Sequence, residues 1–265
     1  MSYMKLLIVL CTVVAICSLF ISNTLFSSLR TTLRSCFGGP STMTSSTVAG
    51  TSPYETKAIG EHKSTLIFFH GLGDQGVGWS QILSGHLNKA GIKVVCPNAA
   101  SRPVTLNFGM QMPAWYDLKG LSPNSEEDAP GIATATDYAH ALIQKEISQG
   151  IPSEKIFIGG FSMGGALAIH AGLTFSSKLA GVISLSGFLL QRDTVEGKVS
   201  VNKQTPVFLG HGRNDPLVPL TFGQMTEQKV KTFNPNVVFK TYNCDHSSTE
   251  EELVDVTNFV KKQLS

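Results

Sequence analysis

The chain lacks any run of lysines or arginines, and its 21 basic and 19 acidic residues leave a net charge of only +2. A protein that grips nucleic acid through phosphates needs a concentrated basic face. Nucleic acid is therefore excluded as a partner. Cysteine is scarce where it would matter. Of five cysteines, Cys11, Cys17 and Cys36 precede the body, which keeps only Cys96 and Cys244. That is no disulfide framework, and it suits a body that works in a reducing compartment. No Cys/His cluster has metal-ligand spacing, so neither a metal nor a cofactor is expected. Internal repeats are absent too. What remains is 265 residues, 42% hydrophobic and 15% charged. That balance supports one globular domain with a sizeable core.

The N-terminus is organised differently. Leu6 to Phe26 is apolar or small and polar, with no charge between Lys5 and Arg30. About twenty such residues can cross a bilayer. A cleaved signal has a shorter apolar core and a small-x-small site, and no clean site of that kind is found. Residues 1–37 are accordingly read as an anchor or signal segment, with an uncleaved anchor favoured. Lys5 flanks one side and Arg30 and Arg34 the other, which leaves orientation open. Cys36 is a candidate palmitoylation site, with an unmodified linker thiol as the other reading. Residues 38–53, rich in Gly, Ser, Thr and Pro, read as a flexible linker. Met43 lies inside it, and a start there would give a soluble form. A peptide beginning just after Met43 in cell extracts is the expected trace of that form, and its absence would remove it. Residues 54–265 are the expected folded domain.

Within that domain, apolar runs of the buried-strand type occur at 65–69, 92–96, 156–159, 180–184 and 207–209, with a last strand at 237–242. Helices are expected at 80–90, with Ser80 as cap and Gly91 as stop, and at 132–149. The second is amphipathic through Ile132, Ala135, Ala139, Leu142, Ile143 and Ile147. A third follows Ser162. The last spans 249–264, with Thr249 and Glu252 forming a capping box. Residues 104–130 read as a long irregular stretch, and a loop of that length usually has a job. Strands alternating with helices predict an α/β fold, a mostly parallel sheet covered on both faces. In such sheets ligands bind beyond the carboxyl ends of the strands. His70, Ser162, Asp215 and His246 all fall there.

Gly160-Phe161-Ser162-Met163-Gly164 follows a strand-like run and precedes a helix of small residues. This is the G-x-S-x-G elbow, which lifts a serine hydroxyl clear of the backbone. A hydroxyl needs a base to become a nucleophile, and the base needs an orienting acid. In the Ser, acid, His order, Ser162 is the candidate nucleophile, Asp215 the orienting acid and His246 the general base. Asp245 is the weaker candidate for the acid, because adjacent side chains rarely face each other. His211 is read as a prop for the Asp215 loop and His70 as a structural member of an early loop. His62, His86, His140 and His170 carry no motif. The oxyanion of an attacked carbonyl would be held by backbone N–H groups, namely those of Met163 and of Leu72 in His70-Gly71-Leu72. A thiolate, of parent pKa about 8.5, leaves more readily than an alkoxide or amine. Ester and thioester hydrolysis are therefore favoured over peptide cleavage.

Taken together, His70-Gly71-Leu72-Gly73-Asp74 with Gly78-Trp79, Pro103-Val104-Thr105, Gly120-Leu121-Ser122-Pro123, Gly159-Gly160-Phe161-Ser162 and Asp215-Pro216-Leu217-Val218-Pro219 resemble the acyl-protein thioesterase and lysophospholipase family. Phe239-Lys240-Thr241-Tyr242 leading to His246-Ser247-Ser248 does the same. The resemblance runs from about Leu66 to the C-terminus. It implies an α/β-hydrolase without a large lid domain. It implies removal of palmitate from S-acylated, membrane-associated proteins through an acyl-serine, with lysophospholipase or broad carboxylesterase activity as the alternative. By position, Ser162, Asp215 and His246 match the family's triad and Leu72 and Met163 its oxyanion donors. Leu118, Phe188 and Leu217 fall where the family lines its acyl channel. The chain departs from the family at Met163, where many members carry Gln, and at Phe188, where Trp is frequent. Most members also lack a segment like Leu6–Phe26. The resemblance places the domain in the cytoplasm, and the N-terminal segment would associate it with a membrane, with a soluble form or the secretory pathway as alternatives. A membrane-tethered binding protein on a dead hydrolase fold is the reading from another class, and it would require a missing triad residue.

Overall fold

The structure is a computed structural model that describes residues 48–265. The apolar segment Leu6–Phe26, Cys36, Met43 and linker positions 38–47 lie outside the described residues. Among the described residues, no helix is long and apolar enough to cross a membrane.

Strands β1 (Tyr54–Thr56), β2 (Ser64–Phe69), β3 (Ile92–Cys96), β6 (Ile156–Phe161), β7 (Gly181–Leu185), β8 (Val207–Gly212) and β9 (Val237–Tyr242) form one sheet in the order β1-β3-β2-β6-β7-β8-β9. Only β1 is antiparallel; every other pairing is parallel. β2, β7 and β8 are buried along their whole length, as expected of parallel strands covered on both faces. β9 lies at an edge, where only its ends, Val237 and Tyr242, are buried. All six strands expected from sequence are present. β1 is too short to carry a periodic signal.

Among the described residues, five helices cover the sheet: α1 (Gly76–Leu87), α2 (Ala129–Ser148), α3 (Met163–Thr174), α4 (Leu220–Lys231) and α5 (Glu250–Leu264). Successive strand residues point to opposite faces. Leu66 and Phe68 of β2 thus join Trp79, Leu83 and Leu87 of α1 and Val256 and Val260 of α5. Ile67 and Phe69 join the opposite core with Ile132 and Ile143 of α2, Leu167 of α3 and Val230 of α4.

Several expected boundaries shift. α1 begins four residues before Ser80, which lies buried inside the helix rather than capping it. The cap arrives from elsewhere in the chain: the Asn98 side-chain oxygen accepts the Gly76 N–H at 2.9 Å. α2 begins at Ala129, where Asp128 caps the Gly131 N–H at 3.0 Å. The stretch 104–130 is more ordered than composition suggested. A hairpin of β4 (Ser101–Val104) and β5 (Met110–Pro113) turns through Phe108 and Gly109. α4 was not expected, because Gly223, Thr226 and Val230 make a buried stripe too small to read as amphipathic. The folded contacts also begin ahead of position 54. Val48 is fully buried, Ala49 bridges Ala99, and the Gly50 N–H donates to the Asn98 carbonyl at 2.8 Å.

The expected capping box at α5 forms on one side. The Thr249 hydroxyl accepts the Glu252 N–H at 3.1 Å. The Glu252 carboxyl turns inward under Gly210 instead of closing the box, and its Oε2 has no hydrogen-bond partner among the described residues. Burial pushes this carboxyl up to about 8. A folded-state pKa above the unfolded one means that the native protein holds the proton longer. Stability should therefore fall as pH rises from about 4.5 to about 8. Glu252→Gln is expected to remove that slope in urea unfolding followed across this range. An unchanged slope would contradict the assignment.

Candidate active site

The elbow between β6 and α3 is set by two close backbone approaches. A Cβ at Gly160 would stand 2.3 Å from the Gly164 carbonyl. At Gly164 it would stand 2.2 Å from the Phe69 oxygen and 2.5 Å from the His70 oxygen. Neither position tolerates a side chain unless backbone moves. Between them Ser162 adopts φ 54° and ψ −120°. This left-handed φ costs a non-glycine residue about 1–3 kcal/mol. The Ser162 N–H donates to Leu185 at 2.8 Å, and its carbonyl accepts from Ala166 at 3.0 Å. The hydroxyl is thereby held at the sheet's C-terminal edge.

His246 Nε2 lies 2.9 Å from Ser162 Oγ, and His246 Nδ1 lies 2.6 Å from Asp215 Oδ2. These three residues come from the ends of β6, β8 and β9. The other Asp215 oxygen accepts the N–H groups of Leu217 and Val218, each at 2.9 Å. The carboxylate is only 6% exposed, so these charge-assisted bonds fix its orientation. Its fixed acceptor directs Nδ1–H toward Asp215 and leaves Nε2 free to take the serine proton. Asp245 has a different partner: its carboxylate accepts the Ser247 hydroxyl at 2.7 Å.

Backbone bonds join the loops after β8 and β9, and the Arg213 guanidinium and Asn214 amide add side-chain bonds to Thr241 and Asn243. Arg213 N–H donates to Tyr242 and Asn214 N–H to Cys244. His211 sits buried beneath this loop and donates Nε2–H to the Val218 carbonyl at 2.8 Å. Burial holds its imidazole below the ordinary range. Phe161 supports the His246 ring at 4.8 Å between centroids, and Trp79 packs behind Phe161 at 5.2 Å. Phe161 is the variable position of the elbow motif, so nothing in the motif marks it as a support.

The early loop abuts Ser162. A Cβ at Gly71 would lie 3.4 Å from Ser162 Cβ, which puts Leu72 beside the elbow. Met163 opens α3, where first-turn N–H groups have no acceptor within the helix. Its side chain is buried in the core. Leu118 and Phe188 line one cavity of about 400 Å³. Tyr116, Ile132, Phe222 and Met225 line it too. The Tyr116 hydroxyl reaches the Met163 carbonyl at 3.4 Å, tying that wall to the elbow. Leu217 does not line this cavity; its side chain is 59% exposed. No group of three or more metal-ligating side chains occurs among the described residues.

A family profile described as Phospholipase/Carboxylesterase matches residues 56–264. Acyl-protein thioesterase 1 of Neurospora crassa is 42% identical over 224 residues, covering 80% of this chain and 91% of the relative. The protein of that name from Gibberella zeae is 40% identical over 225 residues, covering 80% and 96%. The crystal structure of Zea mays acyl-protein thioesterase 2 superposes with a TM-score of 0.73 at 30% identity, covering 80% of this chain and 99% of that one.

The crowding at the elbow sets a direct test. Gly164→Ala is expected to slow labelling of Ser162 by a fluorophosphonate at least about 100-fold, because a displacement near 1 Å is enough to misalign the pair. Labelling at the wild-type rate would mean that the backbone approach is not a constraint.

Proposed function

The chain belongs to the phospholipase/carboxylesterase family, and from that premise we propose that it is a serine hydrolase cleaving the thioester of S-palmitoylated proteins. The observation that carries this reading is the unbroken chain from Ser162 through His246 to Asp215. The names of its relatives, acyl-protein thioesterases at 35–42% identity, support the substrate class.

In this mechanism His246 Nε2 accepts the Ser162 proton as Oγ attacks the acyl carbonyl. The N–H groups of Leu72 and Met163 receive the oxyanion, and loss of one such donor costs about 3 kcal/mol. Collapse of the tetrahedral intermediate expels the cysteine thiolate, which takes a proton from His246. The palmitoyl group is left on Ser162. Water then attacks the ester with His246 as base, releasing palmitate and restoring the serine. Asp215 stabilises the imidazolium in both halves. Leu118 and Phe188 would hold the acyl chain. At about 0.8 kcal/mol per methylene, ten buried carbons contribute about 8 kcal/mol before binding costs. The apolar segment Leu6–Phe26 would tether the domain to a bilayer with its site on the cytoplasmic side, near S-acylated proteins.

The family's description also covers phospholipases and carboxylesterases, which differ from the proposed activity in the leaving group. Hydrolysis of an S-palmitoyl peptide and of a palmitoyl lysophospholipid by the full chain separates these readings. The expected result is a higher kcat/KM for the thioester, with turnover of both abolished in Ser162→Ala and the fold unchanged by circular dichroism. A lysophospholipid preference would transfer the assignment to phospholipid cleavage. Full activity in Ser162→Ala would overturn the mechanism.

A further inference from the structure

His70 is fully buried, and its ring touches no part of the catalytic chain. Its two nitrogens nevertheless have different partners. Nε2 accepts the Ala99 N–H at 3.1 Å. A backbone amide can only donate, so Nε2 carries no proton and the neutral ring carries it on Nδ1. Nδ1–H then donates to the Gly71 carbonyl at 2.7 Å, the shorter of two bonds to that oxygen, which also accepts the Asp74 N–H at 3.2 Å. One peptide unit earlier, the His70 carbonyl accepts the Trp115 indole N–H at 2.8 Å. Trp115 is itself fully buried and packs against the His70 ring at 4.9 Å between centroids.

The Gly71 carbonyl and the Leu72 N–H belong to the same planar trans peptide, so they point in opposite directions. Whatever fixes the carbonyl also fixes the N–H. Gly71 has no side chain to restrict rotation of this peptide. We propose that His70 is a positioning residue for the oxyanion site: its Nδ1–H pins the Gly71 carbonyl and thereby aims the Leu72 N–H at the carbonyl attacked by Ser162. The Trp115 bond holds the preceding peptide, so the loop is clamped at two successive carbonyls. Burial disfavours the charged ring and holds its pKa below the ordinary range, in keeping with the acceptor role of Nε2. The titratable group nearest this ring in the loop is Asp74, whose charge acts in the opposite sense.

This inference rests on Leu72 being an oxyanion donor. It is tested in the full chain with p-nitrophenyl butyrate, a short ester that makes no demand on the acyl cavity. His70→Phe is expected to lower kcat about 100- to 1000-fold, the usual effect of one lost oxyanion donor, with little change in KM. A trifluoromethyl ketone forms an oxyanion on the serine, and its Ki should rise by a similar factor. His70→Asn can present an amide N–H near the place of Nδ1 and should restore much of the loss. Nitrogen-15 NMR of the wild-type His70 ring gives a readout that no variant can compromise by misfolding: a protonated Nδ1 and a bare Nε2. A protonated Nε2, or a folded His70→Phe with wild-type kcat and ketone affinity, would overturn the proposal. Ser162→Ala run in parallel separates the two levels. Residual turnover there means that the assignment of the site has failed. An inert Ser162→Ala beside a fully active His70→Phe means that only the role of His70 has.

Discussion

Everything at this site depends on the crossing of β6 and α3 against the end of β2. Gly160 meets the Gly164 carbonyl, and Gly164 meets the carbonyls of Phe69 and His70, at distances that no Cβ could occupy. The crossing forces Ser162 into a left-handed backbone. It also brings the early loop against the nucleophile, since Phe69 and His70 lead directly into Gly71 and Leu72. Ser162 and the Gly71–Leu72 peptide are thus fixed by one steric constraint. The local strain persists because β6 is hydrogen-bonded on both sides, to β2 and to β7.

A second layer of order comes from buried polar groups outside the Ser162–His246–Asp215 chain. His70 and His211 play parallel parts. Each is a buried neutral imidazole that donates to a backbone carbonyl, Gly71 in one case and Val218 in the other. Each thereby shapes the loop holding a functional group, the Leu72 N–H or the Asp215 carboxylate. Burial disfavours the charged form of both rings. A neutral ring keeps one nitrogen as donor and leaves the other as acceptor, so its hydrogen-bond pattern does not depend on pH near neutrality.

Much of this was legible in the residues. Leu66-Ile67-Phe68-Phe69 and Ile156-Phe157-Ile158 are continuous apolar runs of strand length, and they became central strands. The elbow motif, the acid after the β8 strand and the histidine after β9 gave three residues that the fold brings within hydrogen-bonding distance. What escaped the sequence did so for identifiable reasons. The α4 stripe is made of Gly223, Thr226 and Val230, whose small side chains carry no amphipathic signal. The α1 cap is Asn98, which lies beyond the next strand and so cannot be found by local pattern. Leu217 is placed in the acyl channel by the family resemblance, but it is 59% exposed and does not line the cavity. Glu252 satisfied the spacing of a capping box, but its carboxyl lies inside the protein. Nothing in the local pattern distinguishes those two rotamers.

The central claim is that Ser162 carries the acyl group between thioester and water. Acid quench of the full chain during turnover of an S-palmitoyl peptide, followed by peptide mass spectrometry, addresses it directly. The account predicts a palmitoyl mass increment on the peptide containing Ser162 and none on the peptide containing Cys244. A palmitoyl group on Cys244, or turnover with no acylated serine trapped under any quench time, would contradict it.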